Sequence, residues 1–162
     1  MDSPIFVAVV VCVFAYLYHM ILKMKEDAVK MKGHIERLEK RTAHLHTIHC
    51  IEKQTKKKWG DPALTALTEL YLNQNQIADI GPLRHLTALT RLSLRQNQIA
   101  DIGPLQHLTA LTYLDLEENQ ITDVKPLHHL TALTWLDLQS NQIADTDPTV
   151  VLLKSRGCYV QL

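Results

Sequence analysis

His44, His46, His49 and Cys50 stand together in the stretch HLHTIHC, the densest group of potential metal ligands in the chain. Imidazole and thiolate are both good zinc ligands. Their spacing matches no established zinc signature, and no second Cys/His pair lies nearby to complete a site, so no bound metal is expected. His85, His107 and His129 recur every 22 residues, and a position repeated at that interval is structural. Cys12, Cys50 and Cys158 show no paired spacing. No intramolecular disulfide is expected, which places the larger part of the chain in a reducing compartment. No nucleophile–base pair or phosphate-cradling glycine loop is present, so neither an enzyme nor a cofactor is expected.

The chemistry that remains is recognition. LTALTELYLNQNQIADIGPLRH (64–85) is followed by LTALTRLSLRQNQIADIGPLQH (86–107), LTALTYLDLEENQITDVKPLHH (108–129) and LTALTWLDLQSNQIADTDP (130–148). The first two copies differ at four of their 22 positions. Three of the four are Glu69/Arg91, Tyr71/Ser93 and Asn73/Arg95, which alternate with the leucines and therefore point outward from a short strand. The later copies put Tyr113, Asp115, Glu117 and Trp135, Asp137, Gln139 at those places. Relaxed drift at exposed sites would vary the other side of each copy equally, yet only Arg84/Gln106 differs there. Arg, Tyr and Trp are also the side chains that dominate binding energy at interfaces. A protein-binding face of Glu69, Tyr71, Arg91, Arg95, Tyr113, Asp115, Glu117, Trp135 and Asp137 is expected. Its partner should bring an apolar or aromatic anchor to Tyr113 and Trp135 and basic groups to the carboxylates.

The elements that must position this face follow from the repeat. Self-similarity at a period of 20 to 50 residues marks a stack of coils, each unable to bury its own apolar side chains. In the first copy Leu67, Leu70, Leu72, Asn75 and Ile77 carry the pattern L-x-x-L-x-L-x-x-N-x-I, and Leu64, Ile80 and Leu83 close the other side. Asn75, Asn97, Asn119 and Asn141 recur where the chain turns after each strand. An inward Asn there can both donate to and accept from the backbone of adjacent coils. Gly81-Pro82, Gly103-Pro104 and Pro126 rule out continuous helices on the returning side, leaving extended or short 3₁₀ structure. This resembles the 22-residue class of leucine-rich repeats found in bacterial internalins and in a phosphatase-regulating nuclear protein. The resemblance covers about 64–148. It implies an α/β class solenoid, with a short parallel sheet on a concave face generally used to bind other proteins, and it brings no catalytic residues. The first 60 or so residues do not match that family's organisation, so no partner's identity can be inherited.

Before the repeats, Ile5 to Leu22 forms 18 residues without a charge. As a helix it would rise about 27 Å, close to the hydrocarbon thickness of a bilayer. Ser3-Pro4 supplies a helix start. A cleaved signal peptide calls for positive charge before the run and small residues at its end. Asp2 precedes this run instead, and Tyr16, Tyr18, His19 and Met20 lie near its end. A transmembrane anchor over 1–22 is expected, with lipid contact through residues 4–22. Lys23, Lys25, Lys30 and Lys32 follow it at once. The positive-inside rule then makes this a single-pass protein with its repeats on the cytoplasmic, matrix or stromal side.

Residues 23–46 read as a juxtamembrane helix. Met24, Ala28, Met31, Ile35, Leu38 and Leu45 fall on heptad seam positions, interrupted by Thr42 and weakened by Ala28 and Gly33. That pattern fits a weak coiled coil, or equally a helix whose seam packs on a neighbouring membrane protein or on the end of the solenoid. A constitutive subunit of a larger membrane complex, held through 5–46, is therefore the alternative to a tethered adaptor. Residues 47–63 form a cap and linker. Leu45, Ile48 and Cys50 sit 22 residues before Leu67, Leu70 and Leu72, so a degenerate first coil competes there with continued helix. The repeats occupy 64–146, and 147–162 should cap them. Asp147 and Pro148 start a short helix that Gly157 stops. Adding 22 to Leu136 and Leu138 makes Cys158 and Val160 the inward positions of a fifth strand. A formal net charge of zero argues against a general nucleic-acid binder.

Overall fold

The computed structural model describes the backbone of residues 4–162 and the side chains of residues 20–162. Two compact units divide it, Met1–Arg41 and Thr42–Leu162. Helix α1 (Pro4–Thr55) begins with proline in its first turn and carries no other, the placement that fixed φ favours. Lys, Glu, Met and Leu, all strong helix formers, recur along its described length. It ends where Lys56 turns to a positive φ of 59°. There Thr55 Oγ1 donates back to the Ile51 carbonyl at 2.8 Å, and the Glu52 carboxylate accepts from the Trp59 N–H at 2.7 Å. Among the described residues no helix is long and apolar enough to cross a membrane. The side chains of the expected span over 5–22 lie outside the described ones apart from its last three residues.

In the second unit, β1 (Glu69–Tyr71), β2 (Arg91–Ser93), β3 (Tyr113–Asp115), β4 (Trp135–Asp137) and β5 (Tyr159–Gln161) form one parallel sheet in chain order. The first four pair at a strict interval of 22, with Leu70, Leu92 and Leu114 each opposite the next. The returning chain makes 3₁₀ turns at Gly81–His85, Gly103–His107 and Lys125–His129. Each is set by an aspartate whose carboxylate accepts from the N–H two residues on. Asp79 accepts from Gly81 at 2.7 Å, Asp101 from Gly103 at 2.8 Å and Asp123 from Lys125 at 2.9 Å. Between strands and turns runs one continuous buried core, including Leu92, Leu94, Ile99, Ile102 and Leu105 and their equivalents. Each such side chain contributes roughly 1.5–3 kcal/mol on burial, before chain entropy is set against it.

The asparagines form the expected ladder. Asn97 Nδ2 donates to the carbonyls of Leu72, Leu94 and Arg95, while its Oδ1 accepts from the Asn75 and Ile77 N–H groups. Asn119 and Asn141 repeat the three donations one and two coils further on, each accepting from a single N–H, that of Ile99 and of Ile121. The Asn75 side chain, with no coil before it, donates only to the Asn73 carbonyl.

Both ends of the stack are closed. At the start, residues 45–51 are helix and not a degenerate coil. Thr47, Cys50 and Ile51 line up on one helix face and are buried, whereas Leu45 is exposed. Thr47 Oγ1 donates to the Asp79 carbonyl at 2.6 Å and His46 Nε2 to the Asn75 carbonyl at 2.7 Å. At the far end Asp147 caps α3 (Pro148–Ser155), accepting from Thr149 and Val150. Strand β5 follows, but its register corrects the expected one. Leu136 pairs with Val160 and Trp135 with Tyr159, an offset of 24. The α3 segment is two residues longer than the coil it replaces, so Cys158 precedes the strand instead of occupying its first inward position. An even shift leaves the alternation intact.

Candidate functional site

The outward strand residues form three rows across the sheet. Parallel pairing places Glu69, Arg91, Tyr113 and Trp135 side by side in the first. The Arg91 guanidinium lies 5.2 Å from the centre of the Tyr113 ring, within cation–π range. Tyr113 and Trp135 stack face to face with centroids 4.2 Å apart and planes parallel. The sheet spacing of about 4.8 Å makes this contact nearly unavoidable for two flat side chains at paired positions. The row continues to Tyr159, 60% exposed, which lies outside the face expected from the repeats. The strand alternation alone marks that residue as outward, so the signal was present.

Tyr71, Ser93, Asp115 and Asp137 make the second row. The Tyr71 hydroxyl donates to Glu69 at 2.8 Å, which raises its pKa. Ser93 Oγ sits 2.6 Å from Asn73 Oδ1 and 3.0 Å from Asp115 Oδ2, bridging them. Asp115 and Asp137 each spend one oxygen on the backbone, accepting from the N–H of Glu117 at 3.1 Å and of Gln139 at 2.8 Å. In the third row Arg95 pairs with Glu117 at 2.9 Å and with Glu118 at 3.5 Å.

Asp115, Glu117 and Asp137 thus gather, each offering a carboxylate oxygen within 4.8 Å of the others. Asp137 is 5% exposed, and burial pushes its carboxyl above the ordinary range. The Gln139 N–H opposes that shift and Asp115 adds to it. Burial likewise raises Glu117 against the pull of Arg95, and burial followed by the Asp115 charge raises Tyr113. The Arg95 guanidinium already supplies a cation to this group. The face therefore joins an aromatic stack with a basic flank to a cluster of three carboxylates, two of which, Asp137 and Glu117, burial raises.

The histidine stretch is used differently. His44 Nδ1 lies 3.2 Å from Asp79 Oδ2, His46 Nε2–H is held by the Asn75 carbonyl, and His49 is exposed. The three rings thus serve separate surroundings, and two of them fasten α1 to the first coil. Burial raises the thiols of Cys50 and Cys158. Buried cysteines of this kind behave as small apolar side chains.

Parallel single strands, 3₁₀ returns and an asparagine ladder repeated per coil define a leucine-rich-repeat solenoid. The family model described as Leucine Rich repeats (2 copies) matches residues 65–107, 87–129 and 109–148. The chain belongs to the leucine-rich-repeat family, whose domains generally mediate protein–protein interaction and are typically not enzymes. It is similar to two internalins of Listeria monocytogenes. With internalin InlF it shares 37% identity over 61% of this chain and 28% of that one, at a TM-score of 0.56. With internalin C2 it shares 40% identity over 61% of this chain and 43% of that one, at a TM-score of 0.53. The leucine-rich-repeat ectodomain of the Arabidopsis thaliana receptor kinase SOBIR1 is 25% identical over 62% of this chain and 57% of that one, at 0.51. The chain thus spans well under two thirds of the length of each. No curated protein matches it by sequence.

Proposed function

We propose that this chain is a membrane-anchored protein-interaction module. The run 5–22 holds it in the bilayer, the lysines from Lys23 onward keep the repeats on the cytoplasmic or equivalent side, and the exposed sheet face captures a protein partner. The observation that carries the reading is the contrast within each coil. Framework residues repeat almost letter for letter, while the paired outward positions assemble a stacked Arg91–Tyr113–Trp135 stripe beside Asp115, Glu117 and Asp137. Aromatic and arginine side chains on a rigid sheet are pre-organised anchors that lose little conformational freedom on binding. The partner offers an apolar or aromatic group to Tyr113 and Trp135 and a basic group to the carboxylates.

A photo-crosslinking side chain placed at Glu69 in the membrane-embedded chain should label one protein that the same probe at His107, on the returning side, does not. The combined change of Arg91, Tyr113 and Trp135 to Ala should abolish that labelling. Equal labelling from both positions, or labelling that survives the triple change, would remove the sheet face as the binding surface. Topology is tested separately. Protease applied from the non-cytoplasmic side should leave the repeats whole, and their digestion from that side would overturn the orientation.

A further inference from the structure

Residues 20–41 form a helical stretch with almost every side chain exposed, and from Lys23 onward it lies beyond the proposed bilayer span. Within it Ile21, Met24, Ala28, Met31, Ile35 and Leu38 repeat at alternating intervals of three and four. Met24 is 66% exposed, Met31 65%, Ile35 48% and Leu38 47%. Most of a helix's stability in water comes from packing an apolar face against something, so a stripe this exposed calls for an occupant.

The charges beside the stripe say which one. Ile21, Ala28 and Ile35 take heptad position a, and Met24, Met31 and Leu38 take d. The flanking g positions are then Asp27 and His34, and the flanking e positions Lys25, Lys32 and Glu39. In a parallel, in-register pair each g residue meets the e residue five further along the other helix. Asp27 meets Lys32 and His34 meets Glu39, and two-fold symmetry makes each pair twice. Laid antiparallel over the same apolar layers, the helices would set Lys25 against Lys32 and Asp27 against His34, so Lys32 would face a like charge in place of a carboxylate. β-Branched residues at a with leucine at d also favour two strands, and Ile35 with Leu38 supplies one such step.

We infer that the stripe Ile21–Leu38 is covered by a second copy of this chain, in a parallel two-stranded coiled coil. Met24, Met31 and Ala28 make its knobs small or pliable, so the pairing is modest in strength and open to exchange. Its consequence is bivalency. Two repeat units follow the same end of one coil, so a partner with two sites is captured with the gain that linkage confers.

Disulfide trapping in the full chain, embedded in lipid bilayers with Cys12, Cys50 and Cys158 changed to Ala, tests this directly. Single cysteines at Ala28→Cys and at Ile35→Cys should each give a covalent homodimer on mild oxidation. A disulfide needs Cα atoms no more than about 7 Å apart, and an in-register parallel seam provides that at every a position. The outward controls Glu36→Cys and Lys40→Cys should give severalfold less. On the Ile35→Cys background at low salt, where exposed charges are least screened, Asp27→Lys should lower the trapped fraction severalfold. Adding Lys32→Asp to it should restore the fraction. The rescue distinguishes charge pairing from damage to the helix. Equal trapping at the outward positions, trapping to a different protein, trapping at only one of the two seam positions, or failure of the paired swap would each overturn the proposal.

Discussion

Replacing Asn119 by Ala tests the ladder quantitatively, because each of its partners can be followed individually. Its Nδ2 group donates to the carbonyls of Leu94, Leu116 and Glu117, and its Oδ1 accepts from the Ile99 N–H. The three carbonyls keep other donors after the change: Asn97 for Leu94, Asn141 for Leu116, and the Gln96 N–H for Glu117. The Ile99 N–H has no other acceptor and would be left buried and unpaired. One such orphan costs about 1–3 kcal/mol, and the expected loss for Asn119→Ala falls in that range. Asn97→Ala should cost more, because Asn97 Oδ1 serves two N–H groups, those of Asn75 and Ile77. Asn75→Ala removes a single exposed contact to Asn73 and should cost less than about 0.5 kcal/mol. Urea unfolding followed by tryptophan fluorescence gives the three values on one scale. Equal costs for Asn75 and Asn119, or an Asn97 cost below that of Asn119, would refute the assignment of these energies to orphaned donors.

The exposed sheet face supports two further expectations. Trp135→Ala removes the ring stacked on Tyr113, so it should cost about 0.5–1.5 kcal/mol of stability, while a partner seated on that stack should be lost by about 2 kcal/mol or more; denaturation and partner titration of the same variant separate the two. Asp115 and Asp137 are opposite one another on paired strands, where like charges destabilise by roughly 0.2–1 kcal/mol. Asp137→Asn retains an oxygen for the Gln139 N–H, so it should stabilise the fold by that amount at pH 7. Because burial first, and then Asp115, raise the Asp137 carboxyl in the folded state, the native carboxylate is penalised above that raised value and relieved as it takes up a proton. The advantage of Asn should therefore be full at neutral pH and fade as pH falls through the raised carboxyl range. An advantage that grew on acidification would contradict the sign.

The repeated part of this fold was legible because each coil solves the same packing problem with the same letters. Leu92 can only sit where Leu70 and Leu114 sit, so one register fixes the next three strands. The recurring Asp79, Asp101 and Asp123 were equally visible, but their role as acceptors for the 3₁₀ turns needed the local geometry. Legibility failed where repetition stops. An interval of 22 put Cys158 opposite Leu136, whereas the α3 segment lengthens the connection and brings Val160 there. At the other end Leu45, Ile48 and Cys50 satisfy the coil spacing by number. The helical face of Thr47, Cys50 and Ile51 satisfies burial, and burial decides.

The same contrast bears on the site. A stacking framework needs its inward residues and its Asn ladder, but it is indifferent to what stands outward. Outward residues that oppose stability are therefore the informative ones. The repeat offers Ser93 at the position of Asp115 and Asp137, a neutral side chain that is buried and bridges its neighbours without charge. Two successive coils carry aspartate there instead, beside Glu117, although burial and mutual repulsion raise the carboxyls of Asp137 and Glu117. A single Arg95 cation does not offset three gathered carboxylates. An incoming basic group would relieve what the fold alone leaves unfavourable. Asp137→Asn should therefore move the two measurements in opposite directions, raising stability while weakening capture of a basic partner.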